Sequence, residues 1–236
     1  MHVPDGFLDA TTSTGTAAVA AAGVALALRG SRHELDERTA PMAGLTAVFV
    51  FAVQMMNFPV AFGTSGHLMG GALAAVLVGP WTAVLCLTVV LLVQALVFAD
   101  GGLTALGTNV TLLGLVAIGV GYGVFRGLRA VLPATRTGLL AAAGAGAFLS
   151  VPTAALVFVG LFGLGGVADV ALGPVTMAMV GVHLLIGLGE AVITVAVLGA
   201  VLTVRPDLVR GARHLLQARE LAPRPGLAGA TAVDAR

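Results

Sequence analysis

The sequence predicts an all-α membrane protein, a polytopic bundle of seven transmembrane helices with its N-terminus outside and its C-terminus cytoplasmic. Three observations lead there. Hydrophobic residues fill 58% of the 236 positions against 10% charged, and mean hydropathy is +1.03. No soluble domain buries that much apolar surface. The apolar residues fall into runs separated by Gly, Pro and Arg, and the arginines cluster so that one topology puts all of them on one side.

Span one is expected at 11–28. No Arg or Lys precedes it, and Asp5 and Asp9 stand where a secretory leader carries positive charge. An uncleaved helix is the reading; a leader trimmed after Ala22 is the alternative. The remaining spans are expected at about 41–57, 67–79, 81–99, 103–125, 138–163 and 174–203. The third is short, with Gly79-Pro80 dividing it from the fourth, but the charges require it. Arg29, Arg32 and Arg38 follow span one; Arg126, Arg129 and Arg136 follow span five; Arg205, Arg210, Arg213, Arg219, Arg224 and Arg236 follow span seven. Without a crossing at 67–79 the middle cluster would lie opposite the first, against the positive-inside bias.

The outer face then carries Asp5, Asp9, Asp100 and Asp169 and no Arg, which modestly concentrates cations there. Residues 1–203 form one membrane-embedded domain in the cell membrane. Residues 204–236 read as an Arg-rich cytoplasmic tail, a short helix followed by disorder. Small residues at helical spacing, as in Ala17 to Ala22 and Ala43-x-x-x-Ala47, fit close helix packing.

Composition also excludes chemistry. All twelve basic residues are Arg, so there is neither a phosphate-binding loop ending in Gly-Lys-Ser/Thr nor a Schiff-base lysine. Any ATP must be hydrolysed by a partner. The single Cys86, inside an apolar run, excludes a disulfide framework and a cysteine metal cluster.

The opening Met1-His2 carries the sharpest chemistry. The Met1 amine, the His2 backbone nitrogen and the His2 ring can close fused five- and six-membered chelate rings on one ion, suiting Ni(II), Cu(II) or Co(II). His67 follows Gly63-Thr64-Ser65-Gly66 on the same outer face, with Ser65 expected to cap the helix it starts. Its imidazole could supply a fourth nitrogen. His33 and His214 sit among cytoplasmic charges and are most simply solvated. Glu190, the one acid deep in a span, lies seven residues after His183 on the same helix face. The two are a supporting shell or ion relay, or else a structural pair holding span seven. Gln54, Asn57, Gln94 and Asn109 could orient a metal-bound imidazole or simply bond between helices.

Several stretches resemble the CbiM/NikM family. They are Met-His-Val-Pro-Asp-Gly-Phe-Leu at 1–8, Gln54 to Val60, Gly63 to Leu73, Phe98 to Leu103, and His183 to Glu190. The resemblance covers about residues 1–200. Members are the substrate-binding membrane subunits of cobalt and nickel energy-coupling factor transporters. It implies an extra N-terminal span on a six-helix core, with the N-terminus folded into the outer cavity. It also implies Co(II) or Ni(II) as transported ligand, held by the Met1 amine, the His2 backbone nitrogen, the His2 ring and the His67 ring. Asn57, Ser65, Gln94, His183 and Glu190 are candidates to support those ligands, with His183 and Glu190 unassigned between that and a structural role. The implied partners are a transmembrane coupling protein, cytoplasmic ATPase subunits and a small accessory membrane subunit, with no resident cofactor and no nucleic acid. Cobalt-type members often begin Met-His-Ile-Met-Glu-Gly and carry Ser-Cys-Ser-His; this chain has Pro-Asp-Gly and Thr-Ser-Gly-His, which keeps nickel open.

Two rivals belong to other classes. An intramembrane serine protease would use Ser65 as nucleophile and His183 as base. A passive channel would have little use for a chelating N-terminus, since tight binding slows exit.

Overall fold

The computed structural model describes residues 1–37, 39–61, 64–213 and 215. Helix α1 (Ala10–Gly30) starts at Asp9, whose Oδ1 accepts the Thr12 N–H at 2.7 Å and satisfies one of the free first-turn donors. A 3-10 turn (Ser31–His33) leads to α2 (Thr39–Gln54). Strands β1 (Phe58–Ala61) and β2 (Thr64–Gly66) pair antiparallel, Pro59 opposite Ser65. Helix α3 (Gly71–Val78) is buried at all eight residues, and Gly79 separates it from α4 (Pro80–Val97). The first turn of α4 is capped from a distance: Glu34 Oε2 accepts the Thr82 N–H at 2.7 Å. Helix α5 (Leu106–Val131) widens to a π turn over Val110–Val116, directly after Asn109. Thr135 caps α6 (Arg136–Gly165), and α7 (Leu172–Val204) completes the bundle. Helix α6 packs between α5 and α7, while α3 contacts α2, α4, α5, α6 and α7 from the centre.

The bundle has two chemically distinct ends. At one, Asp5 meets Thr104, Asp9 meets Gly165, and Asp100 meets His2 and Asn57. At the other, Arg210 reaches the Glu34 and His33 carbonyls, and Arg136 Nη2 donates to the Gly199 carbonyl at 2.6 Å. Among the described residues, the aspartates of the N-terminal segment and the arginines thus part to opposite ends. The short α3 joins them with help. Gly70 lies at Glu190, midway along α7, whereas Val76 and Gly79 lie against Gly211 and Glu34 at the arginine end.

The expected spans map onto the helices with two differences. Five helices are long and apolar enough to cross a membrane, making this a multi-pass membrane protein; α2, with 16 residues, and α3, with 8, are shorter. The expected span 67–79 is helical only over Gly71–Val78. Gly70, at φ 74, breaks the segment, so His67 to Gly70 form a non-helical strap. Ser65 lies in β2 and cannot cap a helix that starts six residues later. Past α7 the chain makes 3-10 turns at Pro206–Leu208 and Arg210–Ala212, and Arg213 and Leu215 are helical. His214 and the tail from 216, read as disorder, lie outside the described residues.

Candidate functional site

A chain terminus normally frays, but this one is sewn into the bundle. The Asp9 N–H donates to the Gly165 carbonyl at 2.7 Å, Leu8 bridges to Gly166, and the Val167 N–H donates to the Phe7 carbonyl at 3.1 Å. The Phe7 ring packs on Phe158 and Phe162, with centroids 5.8 and 5.2 Å away. Asp5 Oδ1 accepts from the Thr104 N–H at 2.7 Å and its hydroxyl at 2.5 Å. Val3 is clamped at both backbone atoms: its N–H donates to Asn109 Oδ1 at 2.7 Å, and its carbonyl accepts from Gly102 N at 2.9 Å and Asn109 Nδ2 at 3.2 Å. Each such bond contributes about 1 kcal/mol net. Their sum drives Met1 and His2 inward, to 0% and 4% exposure.

The strap His67–Gly70 receives them. His67 Nδ1 donates to the Leu68 carbonyl at 2.8 Å, which leaves Nε2 as the lone-pair nitrogen. That nitrogen contacts the Met1 amine. Gln54 Nε2 donates to the Met69 carbonyl at 2.7 Å. Glu190 accepts the Met69 and Gly70 N–H groups at 2.8 and 2.6 Å through its two oxygens. The strap is therefore held by α2 on one side and α7 on the other.

His2 closes the group. Its ring stacks on His67 with centroids 4.3 Å apart, and its Nδ1 lies 3.0 Å from Asp100 Oδ1. Asp100 also accepts Asn57 Nδ2 at 2.7 Å. The Gln94 amide faces His2 without the geometry of a regular hydrogen bond, leaving both of its polar atoms unpaired. The Asp100 loop is fixed where α4 ends: Ala99 takes φ 52, and the Phe98 and Asp100 N–H groups both return to the Gln94 carbonyl.

Burial governs the charges. It holds the Met1 amine well below its ordinary 8.0, with Asp100 and Glu190 opposing. Burial, then the neighbouring amine and His2, hold His67 well below 6.5. Burial likewise lowers His2 against the pull of Asp100. Burial pushes Asp100 upward, but His2, Asn57 and the terminal amine more than offset it, leaving the carboxyl below its usual range. The terminal amine and the two imidazoles therefore converge beside the Asp100 carboxylate, and burial disfavours protonation of the amine and the His2 ring. A recess of about 390 Å³ opens over His2 and Asp100, with Asp5 and Ser65 in its wall.

Met1, His2 and His67 thus meet, Gln94 lies beside them, and Asn57 reaches His2 through Asp100. Ser65 lines the recess. His183 and Glu190 find different partners: Glu190 holds the strap, whereas His183 Nδ1 donates to the Met179 carbonyl at 2.7 Å. His183 Nε2 is buried with no hydrogen-bond partner, so the Ser65–His183 pair of a protease is not formed. Among the described residues, no three His, Cys, Asp or Glu side chains make a metal cluster, so the convergence depends on the terminal amine. Sequence reasoning missed the Asp100–His2 contact and left Asn109 open between orienting a histidine and bonding between helices, whereas it grips the Val3 backbone. The signal for Asp100 was its place before Gly101-Gly102, in a loop where a Cβ on Gly102 would run into the Asp5 backbone.

The family described as cobalt uptake substrate-specific transmembrane region, CbiM, matches residues 2–208. The chain belongs to the CbiM family. A cobalt transport protein CbiM of Sorangium cellulosum is 37% identical over 227 residues, covering 94% of this chain and 99% of the relative. A fused nickel transport protein NikMN of Rhodobacter capsulatus is 38% identical over 125 residues, 53% of this chain and 36% of that longer relative. A crystal structure of a truncated transition metal transporter superposes with TM-score 0.79 at 30% identity, covering 86% of this CbiM-family chain and 99% of its own.

Proposed function

We propose that this CbiM-family protein is the substrate-capture subunit of an energy-coupling factor importer for Co(II) or Ni(II). The ion would be held by the Met1 amine, the His2 backbone nitrogen, the His2 ring and His67 Nε2. The observation that carries this is the buried contact between the Met1 amine and His67 Nε2 under the stacked His2 ring. A terminal amine loses its hydration only where something replaces it, and a cation bound by nitrogen does so.

Chelate-ring size selects His2 Nδ1, because only that ring nitrogen closes a six-membered ring with the backbone nitrogen. In this structure Nδ1 faces Asp100, so loading exchanges that contact for the ion. The Asp5 and Asp100 carboxylates at the recess favour cation entry. Burial already disfavours protonation of the amine and the His2 ring, which eases the ion's competition with protons there, and the His2 backbone N–H must be given up.

The aspartate and arginine ends support seven crossings of the cell membrane, N-terminus outside, through the positive-inside bias. The absence of lysine leaves ATP hydrolysis to cytoplasmic ATPase subunits, coupled through a transmembrane partner and aided by a small accessory membrane subunit. Metal analysis of purified protein tests the site: about one ion per wild-type chain is expected, and His67→Ala should retain little. Wild-type stoichiometry in His67→Ala would refute the ligand set.

A further inference from the structure

The arginine end holds a second feature that metal capture does not use. Arg126 and Arg129 on the last turns of α5, with Arg210 and Arg213 beyond α7, line a recess of about 630 Å³ together with Tyr122 and Phe125. Among the described residues no carboxylate lines it. Positive-inside sorting explains why arginines lie at this end. It does not explain why four of them, from segments some eighty residues apart in sequence, share one concavity.

Among the described residues, their environment orients the guanidinium groups with little neutralising charge. Arg210 donates Nη1 to the Glu34 carbonyl at 3.2 Å and Nη2 to the His33 carbonyl at 3.3 Å. Arg129 donates Nη1 to the Pro133 carbonyl at 3.1 Å. These acceptors are neutral. Arg213 comes within only 4.0 Å of Asp36, both about half exposed, a pair that water screens to little worth. Among the described residues Arg126 has no hydrogen-bond or ion-pair partner. The segment carrying Arg210 and Arg213 is seated firmly: Val209 and Ala212 are buried, and a Cβ on Gly211 would come within 2.9 Å of Val76 and 3.0 Å of Phe125. Four like charges held around one hollow repel one another, and an anion relieves that repulsion.

We infer that this recess binds the phosphate of an anionic phospholipid headgroup. Guanidinium forks match phosphate oxygens bidentately, and basic pockets between helix ends are where such headgroups bind. The recess lies where α5 and α7 end, and Tyr122 and Phe125 give it an aromatic wall on the bundle side. That setting favours a lipid over a free anion. Its volume suits a headgroup-sized ligand.

The test compares retention of phosphatidylglycerol and phosphatidylcholine by the purified full chain in native mass spectrometry. Wild type should retain phosphatidylglycerol preferentially. R126Q/R129Q should lower that preference by roughly tenfold to thirtyfold, with metal content and thermal midpoint unchanged. If the double variant melts early, Arg126→Gln alone, at an exposed position, is read in its place and should lower the preference by several-fold. Equal retention of the two lipids by wild type would overturn the proposal, as would a preference untouched by the substitutions. Competition by inorganic phosphate that abolishes lipid retention would reassign the recess to a free anion. Loss of the metal reading leaves these lipid outcomes unaffected, so the two proposals fail separately.

Discussion

Asp100 is the residue whose role is easiest to isolate. It touches His2 Nδ1 and is itself held by Asn57, so it positions the His2 ring from outside the nitrogen set. Asp100→Asn keeps the shape and removes the charge. Isothermal titration with Ni(II) should show affinity reduced by several-fold, because the substitution removes the carboxylate's attraction for the cation, while the contact with Nδ1 is released on loading in any case. The lowered amine and imidazoles set the pH dependence. In unfolded chain they take up protons near 8.0 and 6.5, but in the folded protein only at lower pH. Stability is therefore full above those ordinary values and declines as pH falls beneath them toward the lowered ones. Metal affinity follows the same sign: the half-loss pH of the protein should lie below that of a free peptide with the same first three residues, as read by competition with a chromogenic chelator. That Met1, His2 and His67 share one end of the bundle was legible in the sequence, because the charge-derived topology put them on one face. The Asp100–His2 and Asn109–Val3 contacts were not, because each joins positions about a hundred residues apart that only packing brings together.

At the scale of elements, the strap His67–Gly70 links the site to the bundle. Continuous apolar character over Leu68-Met69 made it look like the start of a span. The two following glycines and the backbone grip of Glu190 explain why it stays extended. Glu190→Gln retains one acceptor for two N–H donors, which leaves one buried donor unsatisfied at a cost of about 1–3 kcal/mol. Nickel affinity should fall roughly tenfold with the His67 ligand itself intact. Gly70→Ala forces a Cβ into the left-handed region and within 2.7 Å of Val50. Its thermal midpoint should drop by several degrees with or without metal. The π turn of α5 sits directly after Asn109, so the widened turn and the Val3 clamp occur together. No periodicity argument could have located it, since π and α turns share the same apolar residues.

Across the whole molecule, charge placement was the most legible property: the arginine clusters implied one sided end, and the described arginines gather at one end of the bundle. Helix lengths were less legible, because α3 reaches the arginine end only with an extended lead-in, and hydropathy does not distinguish an extended apolar stretch from a helical one. Single-cysteine labelling in a Cys86→Ser background tests the proposed topology: a cysteine at Asp169 should react in intact cells, and one at Arg213 only after permeabilisation. The central claim is that a free Met1 amine, turned inward, completes the metal site. One measurement bears on it most directly, the nickel content of purified protein with a free Met1 amine compared with protein whose Met1 amine is acetylated. Acetylation removes the amine's lone pair from the chelate while leaving every side chain unchanged. About one ion per chain is expected in the free form and nearly none in the acetylated form. Equal content in both would contradict it.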